Sequence, residues 1–313
     1  MLEALSETHY SFPGQTGFYR GKVRDVYFFG DKMAMVATDR ISAFDVVLPR
    51  PIPHKGAILN QLAAFFLNAT RHLVPNWLEQ VPDPNCSFGL LCEPIPIEMV
   101  VRGYLVGHAW RTYQQGGRSL CGVTLPEGLH EYGAFLEPII TPTTKATEGH
   151  DADISAHDIL KNRLVAPEVF QQMAAYSHSL FAEGQKMAAE RGLILADTKY
   201  EFGLVNGQLM LMDEIHTPDS SRYYYARDFE EKATHGLAPT PLSKEFVRQW
   251  LIENGFMGQA GQPIPEMSEA FVNQITERYL QLFRLMTGAE PQLNSNGNIA
   301  DRIEKNIFGI LNR

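Results

Sequence analysis

The chain has 313 residues, of which 44% are hydrophobic, and its formal net charge at pH 7 is −9. This length and apolar content suffice for one large or two modest globular domains. The acidic balance argues against nonspecific nucleic-acid binding, which needs a positive field, and the lack of an apolar run of about eighteen residues argues against a membrane span.

Secretion and disulfide bonding are also disfavoured. The N-terminal residues lack the basic region and apolar stretch of a secretory signal. The three cysteines are odd in number and none are spaced as Cys-x-x-Cys, so neither a disulfide framework nor a zinc site is indicated. We therefore expect a cytoplasmic protein that binds neither nucleic acid nor membranes.

The first predicted elements are antiparallel strands within residues 18–49, beginning with one strand at 18–29. Along it, Lys22 and Arg24 fall on one face, next to Gly21, where a ligand can approach the backbone closely. This pattern is compatible with a cover for nucleotide phosphates, although a solvated strand face is the commoner explanation. The chain has neither G-x-x-x-x-G-K-[ST] nor G-x-G-x-x-G, which disfavours the familiar nucleotide-binding folds.

A polar loop at residues 39–45 precedes a helix predicted to begin at Lys55-Gly56, where apolar residues recur at helical spacing. Helix N-termini attract anions. Farther along, residues 97–104 pass from a buried strand into a glycine-containing connection. We predict a domain boundary there, with domains at 1–102 and 103–313.

Two long amphipathic helices are predicted in the second half of the chain. One begins at Pro167 and ends before Gly192, and the other begins after Ser268 and ends at Gly288. These residues follow the preference for proline in the first turn, serine as N-cap and glycine after the last turn. A shorter helix follows Ser243.

The most informative segment is residues 196–214, in which two apolar-rich runs flank Asn206-Gly207, the strongest short-range signal of a hairpin. Successive strand side chains alternate between faces, so Asp197, Lys199 and Glu201 share one face. Carboxylates and an ammonium so arranged are suited to a divalent metal and phosphate. The alternative is an ordinary hairpin whose charges face solvent.

The second strand of this hairpin ends in Asp213-Glu214, directly after an apolar run. A two-residue turn pairs position 201 with 212, which sends Glu201 and Asp213 to opposite faces. If both bind one metal ion, the loop must have odd length, a bulge must shift the register, or Asp213 must lie beyond the ladder. We predict one of these arrangements.

Six motifs occur in order along the chain. They are Gly21-Lys22-Val23-Arg24-Asp25-Val26-Tyr27, Asp39-Arg40-Ile41-Ser42-Ala43-Phe44-Asp45, Val100-Val101-Arg102-Gly103-Tyr104, Thr143-Thr144-Lys145-Ala146, Asp197-Thr198-Lys199-Tyr200-Glu201-Phe202-Gly203, and Asp213-Glu214 with Thr217-Pro218-Asp219-Ser220-Ser221-Arg222. In this order they resemble the phosphoribosylaminoimidazole-succinocarboxamide synthases, or SAICAR synthetases, of purine biosynthesis. The resemblance covers roughly residues 15–290 and points to the longer form of the family, of roughly 300 residues.

The resemblance implies an α+β fold, with an N-terminal antiparallel β-rich domain and a C-terminal α+β domain that clasp ATP between them. It also implies distant similarity to ATP-grasp and protein-kinase folds. The implied activity joins L-aspartate to the carboxylate of carboxyaminoimidazole ribonucleotide, with ATP converted to ADP and phosphate. A carboxylate is a poor electrophile, so we expect ATP to phosphorylate it first and the aspartate amine to attack the acyl phosphate.

Residue roles follow from the resemblance and from this chemistry. Mg²⁺ is expected on Glu201 and Asp213, since hard carboxylate oxygens suit it. Lys199 is expected to meet the transferring phosphoryl group and, with Asp197 and Arg102, to form the catalytic set. Backbone groups of residues 98–100 are expected at the adenine edge. The implied ATP-binding residues are Gly21, Lys22, Arg24, Glu98, Met99, Val100 and Lys145.

The ribonucleotide and aspartate are anionic, and planar bidentate recognition favours arginine. Asp197 is expected to accept from the substrate's amino group. His108 stands where the family commonly has serine, so its contact with substrate is open. The implied substrate-binding residues are Ser42, Asp45, Lys55, Arg102, His108, Asp197, Ser221 and Arg222.

Two other functions are weighed against this one. A kinase-like small-molecule phosphotransferase would share the cations and the metal hairpin, but the chain has no His-Arg-Asp loop with a downstream asparagine. A noncatalytic nucleotide sensor is disfavoured because Lys199, Glu201 and Asp213 are all present. The protein is expected to be a monomer or a homodimer.

Overall fold

The structure is a computed structural model that describes residues 4–145, 151–259, 261–293 and 298–312. Its strands are β1 (Gly17–Arg20), β2 (Arg24–Phe29), β3 (Lys32–Ala37), β4 (Ser42–Ala43), β5 (Val46–Val47), β6 (Leu78–Asp83), β7 (Cys86–Leu90), β8 (Glu93–Tyr104), β9 (Ser119–Leu120), β10 (Val123–Thr124), β11 (Ala134–Ile140), β12 (Thr143–Thr144), β13 (Leu193–Val205), β14 (Gln208–Met212) and β15 (Ser221–Tyr225). Its helices are α1 (Lys55–Ala69), α2 (Gly107–Gln114), α3 (Ala156–Lys161), α4 (Pro167–Ala189), α5 (Ala226–Thr234), α6 (Glu245–Glu253), α7 (Glu269–Thr287) and α8 (Ile299–Leu311).

Two antiparallel sheets form the framework. The first has the strand order β1-β2-β3-β7-β6, and the second has the order β11-β8-β13-β14, with β12 also paired to β8 and β15 to β13. Helix α4 packs on β13 and β8, while α1 packs between the first sheet and α7. Separate antiparallel sheets with helices packed on them confirm the predicted α+β class.

Residues 18–29, predicted as one strand, form a hairpin instead. Strands β1 and β2 pair with Arg20 opposite Asp25, and the Gly21 N–H donates to the Arg24 C=O at 2.8 Å. The prediction was wrong because the charged and apolar residues alternate in the same way on both sides of a glycine that permits a tight turn. Lys22 therefore lies in the turn and does not share a strand face with Arg24.

Strand β8 crosses the predicted domain boundary at residue 102. It belongs over its whole length, Glu93–Tyr104, to the second sheet, where it pairs with β13. The first sheet ends with β7 at Leu90. The change from one sheet to the other thus lies at residues 91–92, about ten residues before the glycine connection that suggested a boundary.

The central hairpin has the predicted register. Strands β13 and β14 pair with Val205 opposite Gln208 and Glu201 opposite Met212, so Asn206-Gly207 is a two-residue turn. Both turn residues have positive φ, 51° and 80°, as a type I′ turn requires.

The two long helices also match their sequence signals. Helix α7 is capped by Ser268, whose hydroxyl accepts from the Phe271 N–H, and it ends at Gly288 with a left-handed φ of 70°. Helix α4 has Pro167 in its first turn. The short helix α6 begins at Glu245, two residues after the serine that suggested it.

The main apolar core lies between the sheets and helices and includes the fully buried Phe66, Tyr200 and Phe202. A second cluster joins Phe12 of the N-terminal segment to Ile303 of α8 over the outer face of the first sheet. Among the described residues, no helix is both long and apolar enough to cross a membrane.

Candidate active site

A ladder of charged residues crosses the two central strands of the second sheet. In the pairing of β8 with β13, Arg102 lies opposite Asp197 and Glu98 lies opposite Glu201, with Lys199 between the two acidic positions of β13. The predicted alternation therefore holds, and β8 contributes a base and an acid from the neighbouring strand.

Lys199 joins the two glutamates of this ladder. Its Nζ lies 2.6 Å from Glu98 Oε1 and 2.7 Å from Glu201 Oε1. The other carboxylate oxygen of Glu201 accepts from Lys145, which follows β12. Glu201 is thus held by two ammonium groups, each of which was predicted to bind ATP phosphates or the transferring phosphoryl group.

The ionisation of this cluster follows from its contacts. Burial alone would raise the pKa of Glu201, but Lys199 and Lys145 outweigh it and lower that pKa. Burial opposes the charge on Lys199, yet Glu201 and Glu98 raise its pKa. Burial raises the pKa of Glu98 against the effect of Lys199, and the negative charge of Glu201 adds to the rise. Glu201 is therefore the more readily ionised of the two glutamates.

Asp213 lies beyond the ladder, which is one of the three arrangements predicted. Strand β14 ends at Met212, and Asp213 has a left-handed φ of 59°, while its carbonyl accepts from Trp77 Nε1 at 2.9 Å. The backbone thus leaves the strand alternation at this residue. The negative charge of Asp213 raises the pKa of Lys145 and Lys199, as Glu201 does, so the two carboxylates share one electrostatic environment.

Arg24 is the counterion of the hairpin's end. Its guanidinium donates to Asp213 at 2.5 Å and lies 2.7 Å from Glu214, and the Arg24 side chain is only 14% exposed. Burial disfavours its charge, but Asp213 and Glu214 raise its pKa. A residue predicted to bind phosphate is therefore paired directly with a predicted metal ligand.

The donor set fits Mg²⁺ only together with a nucleotide. No group of three or more His, Cys, Asp or Glu suited to a metal occurs in the part of the chain that the structure describes. Glu201 and Asp213 are two hard carboxylates, and Mg²⁺ is typically bound by one or two carboxylates plus substrate phosphates. The residues present therefore fit an ion that arrives with ATP.

A second series of charges leads away from Asp197. Its Oδ2 accepts from Arg102 at 3.2 Å and from Arg222 at 2.5 Å. Arg222 in turn donates to Glu245 at 2.9 Å, and Glu245 accepts from Arg248 at 3.3 Å. Three guanidinium groups face two carboxylates, so this end of the site carries excess positive charge and suits anionic substrates.

Gly107 makes room for one of these arginines. A Cβ at this position would lie 2.3 Å from an Arg222 guanidinium nitrogen, and the φ of Gly107 is +58°. Both the space and the backbone conformation require glycine here. The next residue, His108, is 44% exposed in its side chain, and its Nε2 lies 2.7 Å from Asp153 Oδ2.

Lys55 lies behind the site and not on its surface. Its side chain is fully buried, and its Nζ is 3.0 Å from Asp219. Asp219 also accepts from Tyr279 and lies 3.6 Å from the Nζ of Lys244, whose pKa burial lowers to about 8. Direct contact between Lys55 and a substrate would require a movement that exposes this buried side chain.

The remaining predicted substrate contacts are dispersed. Ser42 and Asp45 belong to the small β4-β5 hairpin, where Asp45 is paired with Lys22 of the β1-β2 turn. Ser221 is buried, and its Oγ lies 2.7 Å from Thr198 Oγ1. The hairpin thus lies against the turn predicted to bind ATP, whereas Ser221 lies next to Arg222.

The backbone of β8 has neighbours on both edges at residues 98–100. Glu98 pairs with Thr143 of β12, Met99 pairs with Tyr200 of β13, and the Thr141 N–H donates to the Val100 C=O at 2.8 Å. This arrangement gives no support to the predicted backbone contacts with adenine. Glu98 instead contributes its side chain to the ladder.

Sequence reasoning missed several residues of the site. Lys244 is the N-cap of α6, Glu245 and Arg248 lie in its first turn, and Asp219 forms the buried ion pair with Lys55. Positions 244, 245 and 248 are close together on a helix surface. A charged triplet at the start of a short helix after the 217–222 motif was therefore the available signal.

Comparisons with known proteins identify the family of this chain. The family model described as SAICAR synthetase matches residues 17–263. A phosphoribosylaminoimidazole-succinocarboxamide synthase of Bacteroides thetaiotaomicron is 55% identical over 314 residues, which cover 100% of both chains. Among solved structures, SAICAR synthase from Saccharomyces cerevisiae complexed with SAICAR has a TM-score of 0.78 and 30% identity, over 92% of this chain and 99% of the other. A SAICAR synthetase in complex with ADP has a TM-score of 0.68 at 22% identity, over 88% of this chain and 100% of the other, and supports the fold alone.

The fold and the charged site therefore define an α+β ligase. Relatives this similar, matched over their full length, also identify the particular group of ligases. The chain belongs to the SAICAR synthetase family.

Proposed function

We propose that this protein joins L-aspartate to the carboxylate of carboxyaminoimidazole ribonucleotide in purine biosynthesis, consuming ATP and releasing ADP and phosphate. The observation that carries the proposal is the continuous series of acids and bases along β13. Its Lys199 end pairs ammonium groups with the carboxylates of Glu98 and Glu201, and its Asp197 end pairs two arginines with one carboxylate. One end suits the polyphosphate and the other the anionic acceptors.

The first chemical step is phosphoryl transfer. A carboxylate oxygen of the ribonucleotide forms a bond to the γ-phosphorus of ATP, and the bond from that phosphorus to the ADP oxygen breaks. Lys199, whose charge burial opposes but Glu201 and Glu98 maintain, neutralises charge on the transferring group. Lys22 and Arg24 bind the remaining phosphates. Positioning and charge neutralisation supply most of the acceleration in such steps.

Mg²⁺ is the proposed partner of ATP, with Glu201 and Asp213 as its ligands. When bound, it would neutralise negative charge on the phosphate oxygens of ATP. Glu201 contacts Lys199 and Lys145, and Asp213 contacts Arg24, so as metal ligands these carboxylates would exchange those contacts for the ion. Both carboxylates are then freed by the same phosphates that take up the cations.

The second step is amide formation. The neutral amine of aspartate attacks the acyl carbon, the carbon–oxygen bond to phosphate breaks, and the amine loses its proton. Arg102 and Arg222 hold the anionic substrates next to Asp197. Both arginines donate to Oδ2 of Asp197, so its Oδ1 retains the capacity to accept from the substrate's amino group. The further proposed contacts are Ser221, which pairs with Thr198 where β15 meets β13, and His108, which follows Gly107 at the start of α2.

The test is a coupled assay for ADP release with ATP, Mg²⁺, the carboxylated ribonucleotide and aspartate, each omitted in turn. We expect turnover only with all four components, and SAICAR as the product by mass spectrometry. ADP release that persists at the same rate without aspartate would reject the ligase reaction. The expected monomer or homodimer is determined on the same preparation by analytical ultracentrifugation.

A further inference from the structure

The side chain of Arg40 binds backbone carbonyls of the turn between β1 and β2. Its Nε donates to the Lys22 C=O at 3.1 Å, and one terminal nitrogen donates to the Gly21 C=O at 3.1 Å and to Asp25 Oδ1 at 2.8 Å. The other terminal nitrogen donates to the Ser6 C=O at 2.5 Å. The Arg40 side chain is only 13% exposed. Its contacts with Gly21 and Asp25 are partly buried, whereas those with Lys22 and Ser6 lie at the surface.

The third carbonyl of the turn is held by the same segment of chain. Both the N–H and the hydroxyl of Thr38 donate to the Val23 C=O, at 3.0 Å and 2.8 Å. Residues 38–40 therefore fix the conformation of the turn, because the carbonyls of Gly21, Lys22 and Val23 all accept hydrogen bonds from this segment.

Fixing a carbonyl also fixes the amide that follows it. In a trans peptide the C=O and the next N–H point in opposite directions, and the described residues contain no cis peptide. The N–H groups of Lys22 and Val23 are thereby turned away from Arg40, and neither donates to another group within the described part of the chain. Successive N–H groups with this orientation form a concave anion-binding site.

Asp25 holds the Arg40 guanidinium in place. Its carboxylate is fully buried and also accepts from the Thr8 N–H at 2.7 Å and from Arg20 Nε at 3.3 Å. Arg40 is therefore fixed in place by a buried acid and by the N-terminal segment, and its remaining N–H groups are available for the turn. Lysine could supply the charge but not this fork of donors.

We propose that Arg40 is a positioning residue for ATP, which holds the carbonyls of residues 21–22 so that the amides of Lys22 and Val23 face the phosphates. The proposal rests on the proposed binding of ATP phosphates by this turn. Arg40 does not touch the nucleotide. It acts through the backbone, so its loss weakens nucleotide binding without altering Arg102, Asp197 and Arg222, the proposed contacts of the ribonucleotide and aspartate.

The experiment compares R40A and R40K with wild type by steady-state kinetics and by calorimetric titration with ADP. We expect the KM for ATP and the Kd for ADP to rise about tenfold or more in both variants, with the KM values for the ribonucleotide and aspartate within twofold. R40K keeps a cation beside Asp25, so it is expected to remain folded even if R40A does not. Methylguanidinium is expected to recover part of the ADP affinity of R40A and none of that of R40K.

Arg50→Ala is the matched control. Arg50 also joins two segments by donating to a backbone carbonyl, that of Met267 at 2.7 Å, but it contacts no residue of the turn. We expect its KM for ATP to match wild type. A Kd for ADP within twofold of wild type in R40K, or a parallel rise of all three KM values in R40K, would overturn the proposal. ADP titration needs neither aspartate nor ribonucleotide, so failure of the ligase reaction leaves this test intact.

Discussion

Separate glutamine substitutions at Glu201 and Glu98 test which of these two opposed carboxylates binds the metal. Lys199 Nζ lies 2.7 Å from Glu201 and 2.6 Å from Glu98, so each substitution removes one of two nearly equal ion pairs of the same lysine. Side-chain shape is retained in both variants. Only Glu201→Gln removes a proposed Mg²⁺ ligand. It also removes the ion pair with Lys145, so the quantity compared between the variants is the dependence of activity on free Mg²⁺ and not activity itself.

The size of the effect follows from the bond that is lost. A carboxylate ligand contributes at least as much as a charge-assisted hydrogen bond, about 1.5–3 kcal/mol. At about 1.4 kcal/mol for each factor of ten, this is roughly a 10- to 150-fold change. We expect the free Mg²⁺ concentration that gives half-maximal activity to rise by that factor in Glu201→Gln, and by less than about threefold in Glu98→Gln.

The assay is ADP release at a fixed concentration of ATP, with free Mg²⁺ varied over three decades. Asp213→Asn should resemble Glu201→Gln, since both remove a proposed ligand. Circular dichroism of each variant controls for folding. Equal shifts in the Mg²⁺ dependence of Glu201→Gln and Glu98→Gln would refute the assignment of Glu201 to the metal.

Three other predictions concern charge, space and capping. Burial opposes the charge on Glu245, but Arg222 and Arg248 lower the pKa of its carboxyl from 4.5 to about 2. The ionised carboxylate therefore stabilises the fold fully above pH 4.5, and this stabilisation is lost as the pH falls toward 2. Between pH 5 and pH 3, urea denaturation should show wild type losing about 2 kcal/mol more than Glu245→Gln, and parallel losses would contradict the pKa shift. Gly107→Ala should raise the KM for the ribonucleotide about tenfold, because the new Cβ displaces the Arg222 guanidinium, whereas an unchanged KM would remove this arginine from the substrate site. Ser268→Ala should lower the free energy of unfolding by about 1 kcal/mol through loss of the cap on Phe271, with kcat unaffected.

The parts of the fold that were predictable are those set by local signals. Asn206-Gly207 determined both the turn and the register of β13 with β14, and Ser268 and Gly288 marked the ends of α7. Such signals act within a few residues, and their physical basis is the same in any fold. They also correctly predicted that Asp197, Lys199 and Glu201 share one face.

Features that depend on contacts between distant segments could not be predicted from such local signals. The alternation around Gly21 is the same for one strand as for a hairpin, so only the pairing of β1 with β2 decides between them. The side chain of Glu98 enters the site because β8 lies beside β13 in one particular register. Helix α8 has local signals, namely the N-cap Asn298 and isoleucines at helical spacing, but its packing with Phe12 over the first sheet has none. Each depends on contacts between distant segments, which residue periodicity does not record.

In this structure the carboxylates proposed to bind the metal form ion pairs with the cations proposed to bind the phosphates. Asp213 is paired with Arg24, and Glu201 with Lys199 and Lys145. An isolated buried charge is costly, so a site that must later bind both signs is stable only if its own charges are paired beforehand. ATP alone would pair with the lysine and arginine side chains and leave the carboxylates facing phosphate. Mg²⁺ alone would pair with the carboxylates and leave the lysine and arginine side chains without a counterion. A complex of Mg²⁺ with ATP would replace both sets of contacts together, and for this reason the charge pattern favours entry of the metal and the nucleotide as one unit.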